Sequence, residues 1–150
     1  MASLLDLNLS YYTVPVAYVI GFLPHAYASI IAGKNYDLTN PRNTLSHVSK
    51  DTTIDKTRLR RIQRAESASA NAWETIGLYA AGVVAANLAG VPKESLNTLT
   101  LGYVASRVVY NWVYVFGQDN SRLAPVRSLT WIGGMGLLLG LFVKAGNALN

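Results

Sequence analysis

Apolar residues gather in four runs along the chain, at about residues 11–33, 60–91, 95–116 and 126–148. The second run opens with a basic amphipathic stretch and becomes continuously apolar only from Ala72 to Val91. Each run approaches the roughly 20 residues that a helix needs to cross a hydrocarbon core. A soluble helical bundle would carry a polar face on every helix, and the segment IGGMGLLLGLFV from Ile132 to Val143 has none. The pattern therefore predicts an all-α, integral membrane four-helix bundle forming one four-span domain. Pro15 and Pro24 fall inside the first span, where proline bends a helix and frees a backbone carbonyl. Gly133, Gly134, Gly136 and Gly140 pattern the last span. Gly136 and Gly140 make a G-x-x-x-G, which favours close helix packing within the chain or between subunits.

The connections differ. Residues 34–56 form a long polar loop with the turn-former Asn40-Pro41. Gly90-Val91-Pro92-Lys93 is short and predicts a tight helical hairpin. A third polar loop runs from Gly117 to Pro125. Charge sharpens this picture. Only 14% of residues are charged, against about 25% in a soluble domain. The net charge of +5 is concentrated: eight of thirteen basic residues lie between Lys34 and Arg64. Clustering beside spans is read as topology in preference to nucleic-acid binding. The rule puts loops one and three in the cytosol and both termini on the opposite, lumenal side. Met1 to Ser10 contains no Lys or Arg, so it lacks the basic start of a cleaved signal peptide, and the first span is expected to be retained.

The polar residues within the spans are the candidates for chemistry. Arg64, Ser67, Asn71 and Glu74 recur at spacings of three and four, so they share one helix face. Ionisable and amide groups at a membrane helix are costly unless paired or turned to a cavity, and this stripe is expected to border a buried pocket. Tyr103, Arg107, Tyr110 and Tyr114 form a similar row on the third span. Arg107 sits deep in apolar sequence and calls for a carboxylate. Glu74 is the expected partner, in a pair that serves either bundle geometry alone or function. Arg122 and Arg127 flank Pro125. They suit an anionic group or a developing thiolate or oxyanion, and equally suit lipid phosphates. His25 follows Pro24 and is expected to bond a carbonyl freed by the proline. Ser46, His47 and Asp51 lie in the first loop without the strand-turn-helix elbow of a hydrolase. Trp73, Trp112 and Trp131 read as interface or packing aromatics. The chain has no cysteine, so any thiol must come from a bound molecule. Its two histidines lack metal-ligand spacing, and no metal site is expected.

With these residues placed, the chain resembles the MAPEG family, the membrane-associated proteins in eicosanoid and glutathione metabolism. The resemblance covers nearly the whole chain. The family's second helix reads R-x-x-R-A-x-x-N-x-x-E; Arg64, Ala68, Asn71 and Glu74 match it, and Ser67 replaces the second arginine. The later R-x-x-[Y or H]-x-x-x-Y is matched by Arg107, Tyr110 and Tyr114. R-L-A-P-V-R, from Arg122 to Arg127, resembles the family's arginine–proline loop. The resemblance implies a homotrimer in the endoplasmic reticulum or a related membrane. It implies glutathione bound between subunits near the cytosolic face, and a lipophilic co-substrate arriving from the bilayer. Asn71, Glu74, Arg107, Tyr110 and Tyr114, with Arg64 and Ser67, would line the glutathione pocket. Arg122 or Arg127 would activate the thiol by charge proximity, with Tyr114 beside it. Ser67 exchanges a charge-assisted clamp, about 1.5–3 kcal/mol, for a neutral bond of about 1 kcal/mol, which implies weaker glutathione binding. Two functions follow: an enzyme that conjugates, reduces, isomerises or cyclises a lipophile, and a non-catalytic lipid-binding scaffold that presents one to a partner enzyme.

Overall fold

A computed structural model describes residues 7–150, and all regular structure among them is helical. There are five α-helices: α1 Ser10–Ala32, α2 Thr44–Lys50, α3 Lys56–Leu88, α4 Lys93–Val115 and α5 Ala124–Leu149. The expectation of an uncleaved N-terminus rests largely on Met1 to Asp6, which lie outside the described residues. At 1.5 Å per residue the 23 residues of α1 extend about 35 Å. Two segments, Ser10–Asn35 and Ser121–Leu149, are long and apolar enough to cross a membrane by length and composition. α3 and α4 have the length, but Asn71, Glu74, Asn87, Asn97, Arg107 and Asn111 dilute their hydropathy. Two of the four long helices are thus apolar enough to cross a membrane.

The first loop departs from the expected open connection. Short 3-10 turns at Gly33–Asn35 and Pro41–Asn43 lead into α2. Val48 on α2 is fully buried in a cluster with Ala28, Ile62, Ala65, Tyr110 and Val115. Ser46 and His47 therefore lie on a helix, not on a flexible strand of loop. One apolar anchor is enough to fold a polar segment back over the helix ends. Asp51 caps the turn that follows. Its carboxylate accepts from Thr53 and Asn35, and these bonds, Thr53 first, hold it below the ordinary carboxylate range.

α1 packs on α3 and α4, and α5 packs on α3 and α4 from the other side. A second core cluster fills the layer between them, with Tyr79, Val83, Leu96, Tyr103, Leu138 and Leu141 at its centre. Tyr79 and Tyr103 stack with centroids 4.0 Å apart. The Tyr79 hydroxyl bonds Thr13 on α1 and donates to the Thr100 carbonyl on α4. The α3–α4 hairpin turns at Gly90, whose φ of +75° suits glycine. Asparagines flanking that turn hold the start of α1. Asn97 donates to the Leu7 carbonyl and accepts from the Leu9 amide, while Asn87 donates to Ser10 Oγ.

Proline sets the next constraint. Pro24 cannot donate to the carbonyl four residues back, that of Ile20. Asn111 Nδ2 on α4 supplies the missing bond at 2.9 Å. His25 does not serve that carbonyl, as the sequence had suggested. Its Nδ1 meets both carboxylate oxygens of Glu66 on α3, at 3.0 and 3.1 Å. Of the G-x-x-x-G pair, Gly140 lies against Leu99 on α4, whereas Gly136 faces open space within the chain.

Replacing Asn111 by Leu leaves the Ile20 carbonyl unpaired at a helix contact, at a cost of about 1–3 kcal/mol. Thermal unfolding in detergent is expected to show a lower midpoint for Asn111→Leu. An unchanged midpoint would remove the cross-helix bond from the account of α1.

Candidate functional site

The α4 row builds the site. Tyr103, Arg107, Tyr110 and Tyr114 follow one another at i+4, i+3 and i+4 and so rise along one face. Arg107 is only 4% exposed. Its guanidinium carbon lies 5.3 Å from the Tyr103 ring centroid and 5.0 Å from that of Tyr110. Two aromatic faces stabilise a desolvated cation by about 2 kcal/mol or more each. Nη2 also reaches the Thr130 carbonyl on α5, at 3.5 Å. Space for the guanidinium comes from Gly134: a Cβ there would collide with Arg107 Nη2 and come within 2.7 Å of Ser106 Oγ.

The expected Glu74–Arg107 pair does not form. Arg107 turns toward α5 and the tyrosine faces, whereas Glu74 is exposed on α3 and has no ion-pair partner among the described residues. Nor is the α3 stripe buried within one chain. Ser67 and Glu74 are exposed, and Arg64 and Asn71 are half-buried. Ser67 Oγ donates to the Gln63 carbonyl of its own helix. Arg64 is engaged elsewhere: Arg64 Nη2 donates to Asp119 Oδ1, and Arg61 Nε and Nη2 donate to Asp119 Oδ2. One loop carboxylate thus clasps two arginines of α3. Sequence reading gave Asp119 and Glu66 no role. The one available signal was an acidic residue within a basic, span-flanking segment.

Two recesses meet at the α4 row. The first is a narrow crevice between α1, α3 and α4, bordered by Gly21, Ala68, Asn71, Ile76, Arg107 and Asn111, with space for about one water molecule, 10 Å³. Asn71 Oδ1 and Arg107 Nε and Nη1 are buried without hydrogen-bond partners. The second is an open groove of about 370 Å³ between α4 and α5, lined by Tyr110, Tyr114, Arg127, Ser128, Trp131 and Ile132. Arg127 lies over the Tyr114 ring, 4.9 Å from its centroid. Tyr110 and Tyr114 pack edge to face at 5.6 Å. One groove thus combines a cation, two phenols and a hydroxyl with an apolar wall from Trp131 and Ile132. Of the two loop arginines, Arg127 lines it, while Arg122 is exposed outside it. Ser128 and Trp131 joined the site only in three dimensions, one helical turn apart beside Arg127.

Two outcomes test this geometry. Gly134→Ala places a methyl on the guanidinium, and overpacking of this kind typically costs about 1–3 kcal/mol; the unfolding midpoint should fall, while Gly136→Ala, facing open space, should leave it nearly unchanged. The Asp119 clasp predicts a pH dependence. Hydrogen bonds from Arg64, then Arg61, hold the Asp119 carboxyl below its ordinary value of 3.8. A lowered folded-state value gives stability that is present above 3.8 and is lost as pH falls through the folded value. Asp119→Asn should therefore lower the midpoint at neutral pH, and the gap to the native protein should close in strong acid. A gap that does not change with pH would exclude the ionic clasp.

Searches among curated proteins and among solved structures return no match. The profile of the MAPEG family matches residues 11–147, nearly the whole chain. That match, the all-helical architecture and two helices apolar enough to enter a bilayer identify the chain as an integral membrane protein that belongs to the MAPEG family.

Proposed function

We propose that this chain is a membrane-embedded enzyme acting on a lipophilic substrate in the α4–α5 groove. The observation that carries the reading is Arg127 lying on Tyr114 at the edge of a groove whose other wall is Trp131 and Ile132. A guanidinium fixed over a phenol is set to stabilise negative charge developing on a sulfur or oxygen. Tyr114 and Tyr110 offer hydroxyls that hydrogen-bond a polar head or transfer a proton to it. The apolar wall receives the remainder of a substrate entering sideways from lipid. All four long helices cross the membrane in this reading, with the arginine-rich end cytosolic and the endoplasmic reticulum as the expected compartment. The exposed stripe of α3, with Ser67 and Glu74 on it, is then completed by neighbouring subunits of a homotrimer.

Glutathione is the co-substrate we propose, and the donors fit it in part. Arg107 Nε and Nη1 and Asn71 Oδ1 are buried without partners, an arrangement costing about 1–3 kcal/mol per group unless a polar ligand or water answers it. Glu74 offers a free carboxylate to an ammonium, and Arg127 a cation to a thiolate. When bound, glutathione supplies the thiol that this cysteine-free chain lacks. Ser67 and Arg64 fit less well, one satisfied by its own helix and the other held by Asp119. That favours weak binding. It also keeps a second reading in view, in which the same groove isomerises or cyclises a lipophile without glutathione, or holds one for a partner enzyme.

Calorimetry with glutathione on detergent-purified protein separates these readings. Weak binding by the native chain is expected, strengthened about tenfold by Ser67→Arg, as a charge-assisted bond replaces a neutral one. Turnover of a lipophilic electrophile or hydroperoxide with glutathione should fall on the order of 100-fold in Arg127→Gln, the usual loss for a charge-stabilising donor. In Arg122→Gln it should stay within about twofold, as for an exposed rim charge. Equal losses in both variants would displace Arg127 from the reaction.

A further inference from the structure

On the face of the molecule away from the α4–α5 groove, α1 and α4 leave an apolar channel of about 220 Å³. Leu23, Pro24, Tyr27, Trp112, Val115 and Phe116 line it. Trp112 is 60% exposed, an unusual position for a large aromatic unless something apolar covers it. A second recess of about 270 Å³ lies at the polar end of the helices, formed by Tyr27, Ile31, Asp55, Thr57, Arg58 and Arg61, and Tyr27 lines both. The Tyr27 and Phe116 rings meet edge to face at 5.3 Å.

Charge and length both bear on the occupant. Three guanidiniums, Arg58, Arg61 and Arg64, gather at or beside the upper recess against two carboxylates, Asp55 and Asp119. Asp55 is spent on the Arg58 backbone amide as the cap of α3. Asp119 is shared between Arg61 and Arg64. Arg58 uses Nε to bond the Ile31 carbonyl at 2.7 Å, and among the described residues its terminal nitrogens form no hydrogen bond or ion pair. The recess is therefore net positive. From Ile20, in the channel, to Ile31, in the second recess, is eleven residues of α1. At 1.5 Å per residue that is about 16 Å. Half of a hydrocarbon core of about 30 Å is about 15 Å, the depth of one leaflet.

We propose that this channel is a binding site for one anionic phospholipid, its acyl chain lying between α1 and α4 against Trp112 and its headgroup held at Arg58 and Arg61. The inference rests on the chain being a membrane protein and not on the reaction assigned to the α4–α5 groove. Aromatic walls hold the chain by apolar contact. The basic recess selects negative headgroups over zwitterionic ones, since each basic residue near the surface adds attraction to anionic lipid.

Tryptophan quenching by brominated lipid tests it directly, because Trp112 lines the channel. Full-length protein carrying Trp73→Phe and Trp131→Phe keeps Trp112 as its one tryptophan. It is reconstituted into phosphatidylcholine vesicles containing either brominated phosphatidylcholine or brominated phosphatidylglycerol. Quenching is expected to favour the anionic lipid by about fivefold, the factor one well-placed basic residue gives. High salt and Arg58→Gln should each reduce that preference. Val108→Phe, which fills the channel from its exposed wall, should lower quenching by the anionic lipid while leaving the fold intact by circular dichroism. Equal quenching by the two lipids would reduce the channel to ordinary lipid contact and overturn the proposal. Quenching by neither would mean that protein, such as a second copy of the chain, covers the face, and would overturn it equally. A preference untouched by Arg58→Gln and salt would remove the arginines from the site.

Discussion

Arg107 carries a full positive charge into the apolar layer between the helices, with no carboxylate paired to it among the described residues. Moving such a charge out of water costs several kcal/mol even after the surroundings relax. The fold meets that cost with geometry. Tyr103 and Tyr110 present their faces to the guanidinium, Thr130 offers a carbonyl, and Gly134 omits the side chain that would collide with it. Each of these groups is then committed. The tyrosines must keep their turn-by-turn register on α4, and α5 must cross where its glycine stands. The crossing brings Arg127, Ser128 and Trp131 alongside Tyr110 and Tyr114. The open groove is a consequence of how a buried cation is accommodated.

The same economy of polar groups governs both ends of the molecule. Where polypeptide enters an apolar environment, each exposed donor or acceptor needs a named partner. Asn111 answers the carbonyl that Pro24 frees. Asn87 and Asn97 hold the first turn of α1. Asp119 gathers Arg61 and Arg64 at the other end. These are single side chains reaching between helices distant in sequence, so each also fixes the relative height of two helices. Six buried polar side-chain atoms among the described residues are left without a partner; three of them, Arg107 Nε and Nη1 and Asn71 Oδ1, lie beside the α4 row, and the others are on Arg64, Ser69 and Gln118.

The outward faces point to the surroundings. Large apolar side chains remain exposed along α1 and α5, Tyr12, Ile30, Leu129 and Val143 among them, the pattern of helices whose solvent is hydrocarbon. The exposed polar stripe of α3 is different. Ser67 and Glu74 cannot face lipid cheaply, which is why a neighbouring subunit is the natural cover in the proposed assembly. The recesses differ in chemistry: one sets a cation and phenols against an apolar wall, and on the α1 side an apolar channel and a basic recess both border Tyr27.

The order of long helices, the tight α3–α4 hairpin and the shared face of Tyr103, Arg107, Tyr110 and Tyr114 were legible in the sequence, because they follow from apolar run length and helical periodicity, which are local. The family was legible for the same reason: its motifs are spacings along single helices. The partners of those residues were not. Glu74 looked like the match for Arg107 by charge alone, and His25 looked like the proline's neighbour by position alone. Which side chain meets which depends on where helices cross and how far each is rotated. That was decided by the fit of Gly134 around a guanidinium, by Val48 drawing a polar loop into a fold, and by a single loop carboxylate positioned between two arginines. Periodicity tells which face a residue occupies; only packing tells what stands opposite it.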